Sequence, residues 1–203
     1  MRIRTLLENK LPYDAEIEYL GVSIGQRVNT GIYATGDTYV KIEGYDWDAN
    51  RGEVFFMVRN NSREDEYGEI AVGHVSYIEN YYGNDSSLGI QNSFFGSSNF
   101  IIEKNKNVTT YYNLDTHETR SCSRNYAVFS NPYIIYLFAT NNKGVLSDGC
   151  NFKFRNAVIK NNDTLVRDFI PVRVGNVGYM YDKVSGQLFG NSGTGSFILG
   201  PDK

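Results

Sequence analysis

The chain is poor in the residues that most often carry chemistry. It has two cysteines, two histidines, one tryptophan, three methionines and four prolines in 203 residues. Of the histidines, His74 sits inside an apolar run and is expected to be packed in a strand. His117, in Asp115-Thr116-His117-Glu118, is expected in a turn. Neither has a second histidine at helical or hairpin spacing, so no metal ligand set is expected. No Gly-x-Ser-x-Gly elbow is present, and neither cysteine has a flanking catalytic signature. Cys122 and Cys150 do not form a metal motif. They could pair across a sandwich, but without an export signal the expected state is a pair of free thiols.

Long apolar runs are also lacking. Tyr133 to Ala139 is the most apolar stretch and is far too short to cross a bilayer, so no membrane insertion is expected. The first ten residues begin basic but have neither an apolar core nor a small-residue cleavage site, so nothing directs export by the Sec route. A place outside the cell would then be reached by another path, such as lysis. Basic charge is not in excess. The net charge is −3, which argues against the clustered basic face that nucleic acid requires. Nor does a Glu-x-Asp-x-x-Glu-like strand motif appear, which in glycosidases would set two carboxylates on one sheet. Glu64-Asp65-Glu66 is contiguous and reads as a solvated loop. The chain is expected to have no enzymatic activity and no cofactor.

What is present is aromatic and β-forming. Sixteen tyrosines, twelve phenylalanines and twenty glycines favour strands and tight turns. Alternating or apolar segments are expected as strands at Ala15–Leu20, Arg27–Ile32, Thr38–Tyr45, Glu53–Val58, Ile70–Ile78, Leu88–Phe95, Asn99–Glu103, Val108–Leu114, Glu118–Arg124, Tyr133–Thr140 and Asn151–Ile159. The Tyr133–Thr140 run is expected to be a central strand. Glu79 to Ser87 is expected to be a loop rich in Tyr, Asn and Asp. The last third reads as strands over Leu165–Arg173 and Gly178–Phe189, with a hairpin at Ser185-Gly186, and a closing run from Gly193 to Pro201. Val166, Asp168, Ile170 and Val172 would share one face, with Arg167, Phe169 and Arg173 on the other. Asp182 is expected to bond backbone amides in the turn it precedes. Such spacing, without an amphipathic helix, predicts an all-β antiparallel sandwich or barrel. Residues 1–10 form a candidate arm, either frayed or a docking peptide, before one domain over 11–203.

Sugars are held by aromatic faces and planar polar groups, because a pyranose has an apolar C–H face and a rim of hydroxyls. Tyr77, Asn80, Tyr81, Tyr82, Asn84 and Asp85 offer that set, as do Tyr111 and Tyr112. Exposed tyrosines serve protein interfaces equally well, so glycan and protein partner both stay open. Trp47 lies in Asp46-Trp47-Asp48-Ala49-Asn50, which supplies some of the oxygens of a calcium site but fewer than calcium takes. A polar turn anchored by Trp47 is the simpler reading.

Two stretches resemble a known family. Leu11 to Leu20 with Thr30-Gly31-Ile32, and the run from Leu165 to Pro201, resemble the opening and closing signatures of concanavalin A-like, laminin-G-like jelly-roll domains. Such domains are found in gut bacteria and in tail, fibre and head-decoration proteins of their phages. Gln26 matches the family's opening segment, whereas Arg27 stands where an aromatic is usual, and residues 44–130 have no match. The resemblance implies an antiparallel jelly-roll β-sandwich in a non-catalytic phage structural protein on the virion surface, made in the host cytoplasm. Its arm would dock on other phage structural proteins, and the sandwich would face outward as a homo-oligomer, with carbohydrate as a possible ligand. The alternatives are a surface or secreted lectin-like module of a bacterium and, less favoured, a glycoside hydrolase or lyase.

Overall fold

A computed structural model describes residues 11–47, 53–59, 69–74, 77–83, 90–91 and 99–203, with backbone alone at 53, 69–74, 77–83 and 90–91. Among these residues there are nineteen strands and no helix. They are β1 (Ala15–Glu16), β2 (Leu20–Val22), β3 (Val28–Thr35), β4 (Thr38–Tyr45), β5 (Glu53–Arg59), β6 (Glu69–His74), β7 (Tyr77–Gly83), β8 (Ile90–Gln91), β9 (Phe100–Asn105) and β10 (Val108–Asn113). Then come β11 (Thr119–Ser123), β12 (Ser130–Leu137), β13 (Thr140–Asn142), β14 (Val145–Ser147), β15 (Phe152–Asn161), β16 (Thr164–Val174), β17 (Val177–Asp182), β18 (Gln187–Phe189) and β19 (Ile198–Leu199).

The architecture is an antiparallel β-sandwich of jelly-roll type. The large sheet runs β11-β10-β9-β4-β15-β16-β17-β18, with β2 also on β15, β19 on β2 and β1 on β16. Opposite it stand β14-β13-β5-β6-β7-β8 and the pair β12-β3. Alternation explains the layering. In β4, Thr38, Val40, Ile42 and Gly44 are buried while Tyr39, Lys41, Glu43 and Tyr45 are half-buried, so one face packs and the other meets water.

The core is a chain of edge-on rings. Trp47 meets Phe55 at 4.9 Å, Phe55 meets Phe152 at 5.2 Å, Phe152 meets Phe138 at 5.3 Å, and Phe138 meets Phe154 at 5.7 Å between centroids. Edge-to-face contact sets the positive ring edge against the negative face, which adds to the gain from burial. Lys104 is also fully buried on the inner face of β9. Burial pushes its ammonium down to about 7, with nearby Cys122 opposing the shift and Arg124 adding to it.

Several expectations change. The Tyr133–Thr140 run is not one central strand. It breaks at Phe138, whose φ is +67°, and its two halves join different sheets: β12 pairs β3, and β13 lies parallel to β5. Breaking there lets the Phe138 amide donate to the Phe55 carbonyl at 2.6 Å while its ring enters the core. Residues 79–83, expected in a loop, continue strand β7 and pair with β6. Residues 84–89, like the candidate arm at 1–10, lie outside the described residues. Both cysteines are free, Cys150 buried and Cys122 partly so.

The closing run acts structurally. Asp182 is fully buried opposite Phe169. Its carboxylate accepts from the Asp168 amide at 2.9 Å, the Val184 amide at 3.1 Å, and the Ser185 amide and hydroxyl at 3.2 and 2.6 Å. Gly186 follows at φ +71°, a conformation that glycine adopts without strain, and closes the hairpin. Arg167 lies 3.6 Å from Asp182 and over the Phe189 ring, so the face of β16 bearing Arg167 and Phe169 is the inner one. Gln26 is structural as well: it donates to the Ser196 carbonyl at 2.6 Å and accepts from the Ser23 amide at 2.9 Å. Asp182→Ala strands three backbone amides and is expected to lower stability by about 1–3 kcal/mol. A urea melt checks this as a fall in midpoint at constant slope.

Candidate functional site

An irregularity in the centre of the large sheet gathers polar and aromatic groups on its outer face. Along β15, Phe152 and Phe154 point inward, then Ala157 and Ile159 do. The spacing from Phe154 to Ala157 is three rather than two. Opposite, Phe154 faces Gly44 and Asn156 faces Glu43, so Arg155 is the extra residue of a β-bulge. Bulges re-aim side chains, and here Arg155 and Asn156 both reach the outer face.

Gly44 permits this arrangement. A Cβ on it would lie 2.6 Å from the Lys153 carbonyl oxygen and 2.6 Å from the Phe152 ring. Across the bulge, the Arg155 guanidinium lies 4.3 Å from the centroid of the Tyr45 ring. The Lys153 ammonium lies 5.0 Å from the same ring and 5.1 Å from Tyr19, and the two tyrosines meet edge-on at 5.6 Å. Lys153 is closed by Asp46 at 2.6 Å, which raises the lysine's affinity for its proton. The Tyr45 hydroxyl is pushed up, mainly by burial. Asn156 Nδ2 donates to Glu43 Oε2 at 2.7 Å. Asp115, beside Asn99 and within the field of Arg155, is held below the usual carboxylate range, chiefly by the Asn99 side-chain amide. Register continues the row outward from Asn156 and Glu43 to Ile101 on β9 and Tyr112 on β10.

Arg155 differs from Lys153 and Asn156 on this face. Among the described residues no hydrogen bond or ion pair engages its guanidinium, so its donors face solvent while the Tyr45 ring holds its plane. A stacked guanidinium has already lost much of its rotational freedom, which lowers the cost of ordering it on a ligand.

The residues singled out from sequence scatter relative to this platform. Tyr112 lies on it. Trp47 and Tyr111 are buried at 2% and 1% exposure, and Tyr111 stacks on Phe100 at 6.0 Å. Their ring faces belong to the core, which corrects the expectation that they contact a ligand. Tyr77, Asn80, Tyr81 and Tyr82 lie on strand β7, the last three where a loop was expected, and Asn84 and Asp85 lie outside the described residues. Asp46 neutralises Lys153 instead of contributing to a cation cage. Among the described residues no three His, Cys, Asp or Glu side chains gather to hold a metal. His117 is exposed just after the turn at residues 114–116, at φ +60°. Sequence reading missed Arg155, Asn156, Glu43 and Tyr45. The slip of the apolar phase from 152 and 154 to 157 and 159 was the available signal.

No family model, no curated protein and no solved structure matches the chain.

Gly44→Ala is expected to push the Phe152 ring and the 153 carbonyl away, at about 1–3 kcal/mol for overpacking. It should also unseat Arg155 from Tyr45. A lowered thermal midpoint, together with loss of the ring-current shift that stacking on Tyr45 gives the Arg155 side-chain resonances, would check both effects.

Proposed function

We propose that the chain is a non-catalytic structural and binding module of a phage particle, of the fibre or head-decoration kind. Residues 1–10 dock on other particle proteins, and the sandwich faces outward with its large sheet turned to glycans of the host or of mucus. The observation that carries the binding part is the solvent-facing guanidinium of Arg155, stacked on Tyr45 beside Asn156 and Glu43. Aromatic rings with planar donors and acceptors on one rigid face are the set that sugars require, and strands hold it more firmly than a loop would. The phage assignment rests on the resemblance of the two terminal segments to jelly-roll domains of phage particles. Homo-oligomerisation suits a weak single site, because linked copies multiply their effective affinity.

Two measurements test this. A glycan array probed with the full-length protein is expected to give a specific signal that Arg155→Ala or Tyr45→Ala removes and that the Tyr81→Ala/Tyr82→Ala double variant retains. A signal lost only in the double variant moves binding to β7, and a blank array leaves assembly as the role. Separately, deleting residues 1–10 should leave the sandwich folded and abolish association with particles. An insoluble truncation would mean that these residues belong to the core.

A further inference from the structure

The inner face of the large sheet carries a row of three polar or nucleophilic side chains at its β11 edge. Lys104, Thr109 and Cys122 stand side by side across β9, β10 and β11, because Thr109 is the cross-strand partner of both Lys104 and Cys122. Burial fixes the face. Phe100, Ile102 and Lys104 are the buried positions of β9, and Thr109, Tyr111 and Asn113 are those of β10. Cys122 packs, partly buried, against the same core cluster. Two strand spacings, about 9.5 Å, separate the backbones at Lys104 and Cys122. A lysine chain laid across the short threonine spans most of that distance and brings its amine to the thiol. The hydroxyl of Thr109, fully buried between them, has no hydrogen-bond partner among the described residues. Cys122 is in no disulfide and is partly exposed, whereas Cys150 is fully buried.

We propose that Cys122 and Lys104 are a modification site for peroxide, which joins them in a sulfenamide that staples edge strand β11 to β9 across β10. The proposal stands apart from the glycan reading, since it concerns the opposite face of the sheet. Peroxide reaches Cys122 from the edge, where Thr119, Arg120, Ser121 and Ser123 are all exposed. The Cys122 sulfur attacks one peroxide oxygen. An S–O bond forms, the O–O bond breaks, and the departing hydroxide takes the thiol proton and leaves as water. Sulfur is oxidised by two electrons and peroxide is reduced by the same two. Thr109 Oγ1 is the adjacent donor for the new sulfenic oxygen. The Lys104 lone pair then attacks the sulfur. An N–S bond forms, the S–O bond breaks, and the hydroxyl leaves with one amine proton as a second water. The protein loses two hydrogens in all. Burial assists the second step: it pushes the Lys104 ammonium down to about 7, so much of the amine is the neutral nucleophile at neutral pH. The linked nitrogen is uncharged, so the cross-link also removes a cation from the core. Among the described residues β11 pairs with β10 alone, and the staple gives this edge a second attachment.

The test oxidises the full-length protein with hydrogen peroxide, alkylates the remaining thiols and reads intact and peptide masses. The expected result is a loss of two hydrogens, a peptide pair joined through Lys104 and Cys122, and a missed tryptic cut after Lys104, all reversed by dithiothreitol. The linked protein should also melt at a higher temperature, because a cross-link restricts the unfolded chain. Lys104→Met keeps the length of the side chain without its amine. It should abolish the two-hydrogen loss and leave Cys122 as a sulfenic acid that a cyclic dione traps, and Cys122→Ser should abolish both. Wild-type protein unfolded in urea before oxidation should not link, since the row of side chains no longer exists. That comparison reads the same chemistry without any substitution. Sulfinic acid at Cys122 with Lys104 still cut by trypsin, disulfide-linked dimers as the sole product, or a two-hydrogen loss that persists in Lys104→Met overturns the proposal.

Discussion

The antiparallel pairing of Thr38–Tyr45 with Phe152–Asn161 is the constraint on which both faces of the molecule depend. Its inner side supplies Val40, Ile42, Phe152, Phe154, Ala157 and Ile159 to the core, all buried. Its outer side supplies Tyr45, Glu43, Arg155 and Asn156. A strand with strict alternation could not serve both needs at this point. The core wants Phe154 and Ala157 inward, three residues apart, and one residue must therefore be left over. The leftover residue is Arg155, and it goes outward because a guanidinium cannot be buried unpaired. The platform is thus a consequence of how the core closes, fixed in place by burial of the residues on either side.

The missing side chain at Gly44 belongs to the same arrangement. The bulge brings the backbone of β15 and the Phe152 ring close against β4, within 2.6 Å of where a Cβ would stand. Phe152 in turn touches Phe55, Phe100 and Phe138. Geometry at the outer face is therefore transmitted from the aromatic cluster through a single ring and a single glycine. Arg155 sits on strands whose other faces are close-packed, so the stacking on Tyr45 is held by a scaffold with little room to relax.

Much of the fold was legible because a sheet with one wet face writes a period of two into the sequence. Thr38 to Tyr45 shows it cleanly, and the burial pattern follows it residue by residue. The hairpin at Ser185-Gly186 and the amide-binding role of Asp182 were equally readable, since both are local. Legibility failed where tertiary contacts override local pattern. Nothing in Tyr133 to Thr140 marks Phe138 as a break, because the break exists to satisfy the Phe55 carbonyl, which is distant in sequence. Lys104 occupies an inner position that the period assigns to an apolar residue. Trp47 and Tyr111 drew notice as aromatics among polar residues, yet each is covered by phenylalanines from other strands.

The site failed to show for a different reason. Sequence reading looks for clusters along the chain, and the strongest such clusters here are the tyrosines between 77 and 82 and those at 111 and 112. The platform is assembled across strands, from residues 43 and 45 and residues 155 and 156, which are more than a hundred positions apart. No window on the chain contains it. What the chain does contain is the phase slip in Phe-Lys-Phe-Arg-Asn-Ala-Val-Ile, two polar residues in succession where alternation demands one. A phase slip in a central strand means either that the strand ends or that it bulges. Pairing that runs on to Asn161 excludes the first. In a sheet with one dry face, the second always sends two neighbouring side chains to the wet one. Where one of them is an arginine with an aromatic residue across the strand, the result is an ordered cation with its donors open to solvent. The stacking on Tyr45 offsets part of the entropic cost of that ordered rotamer, so the guanidinium is held in place with its donors turned outward.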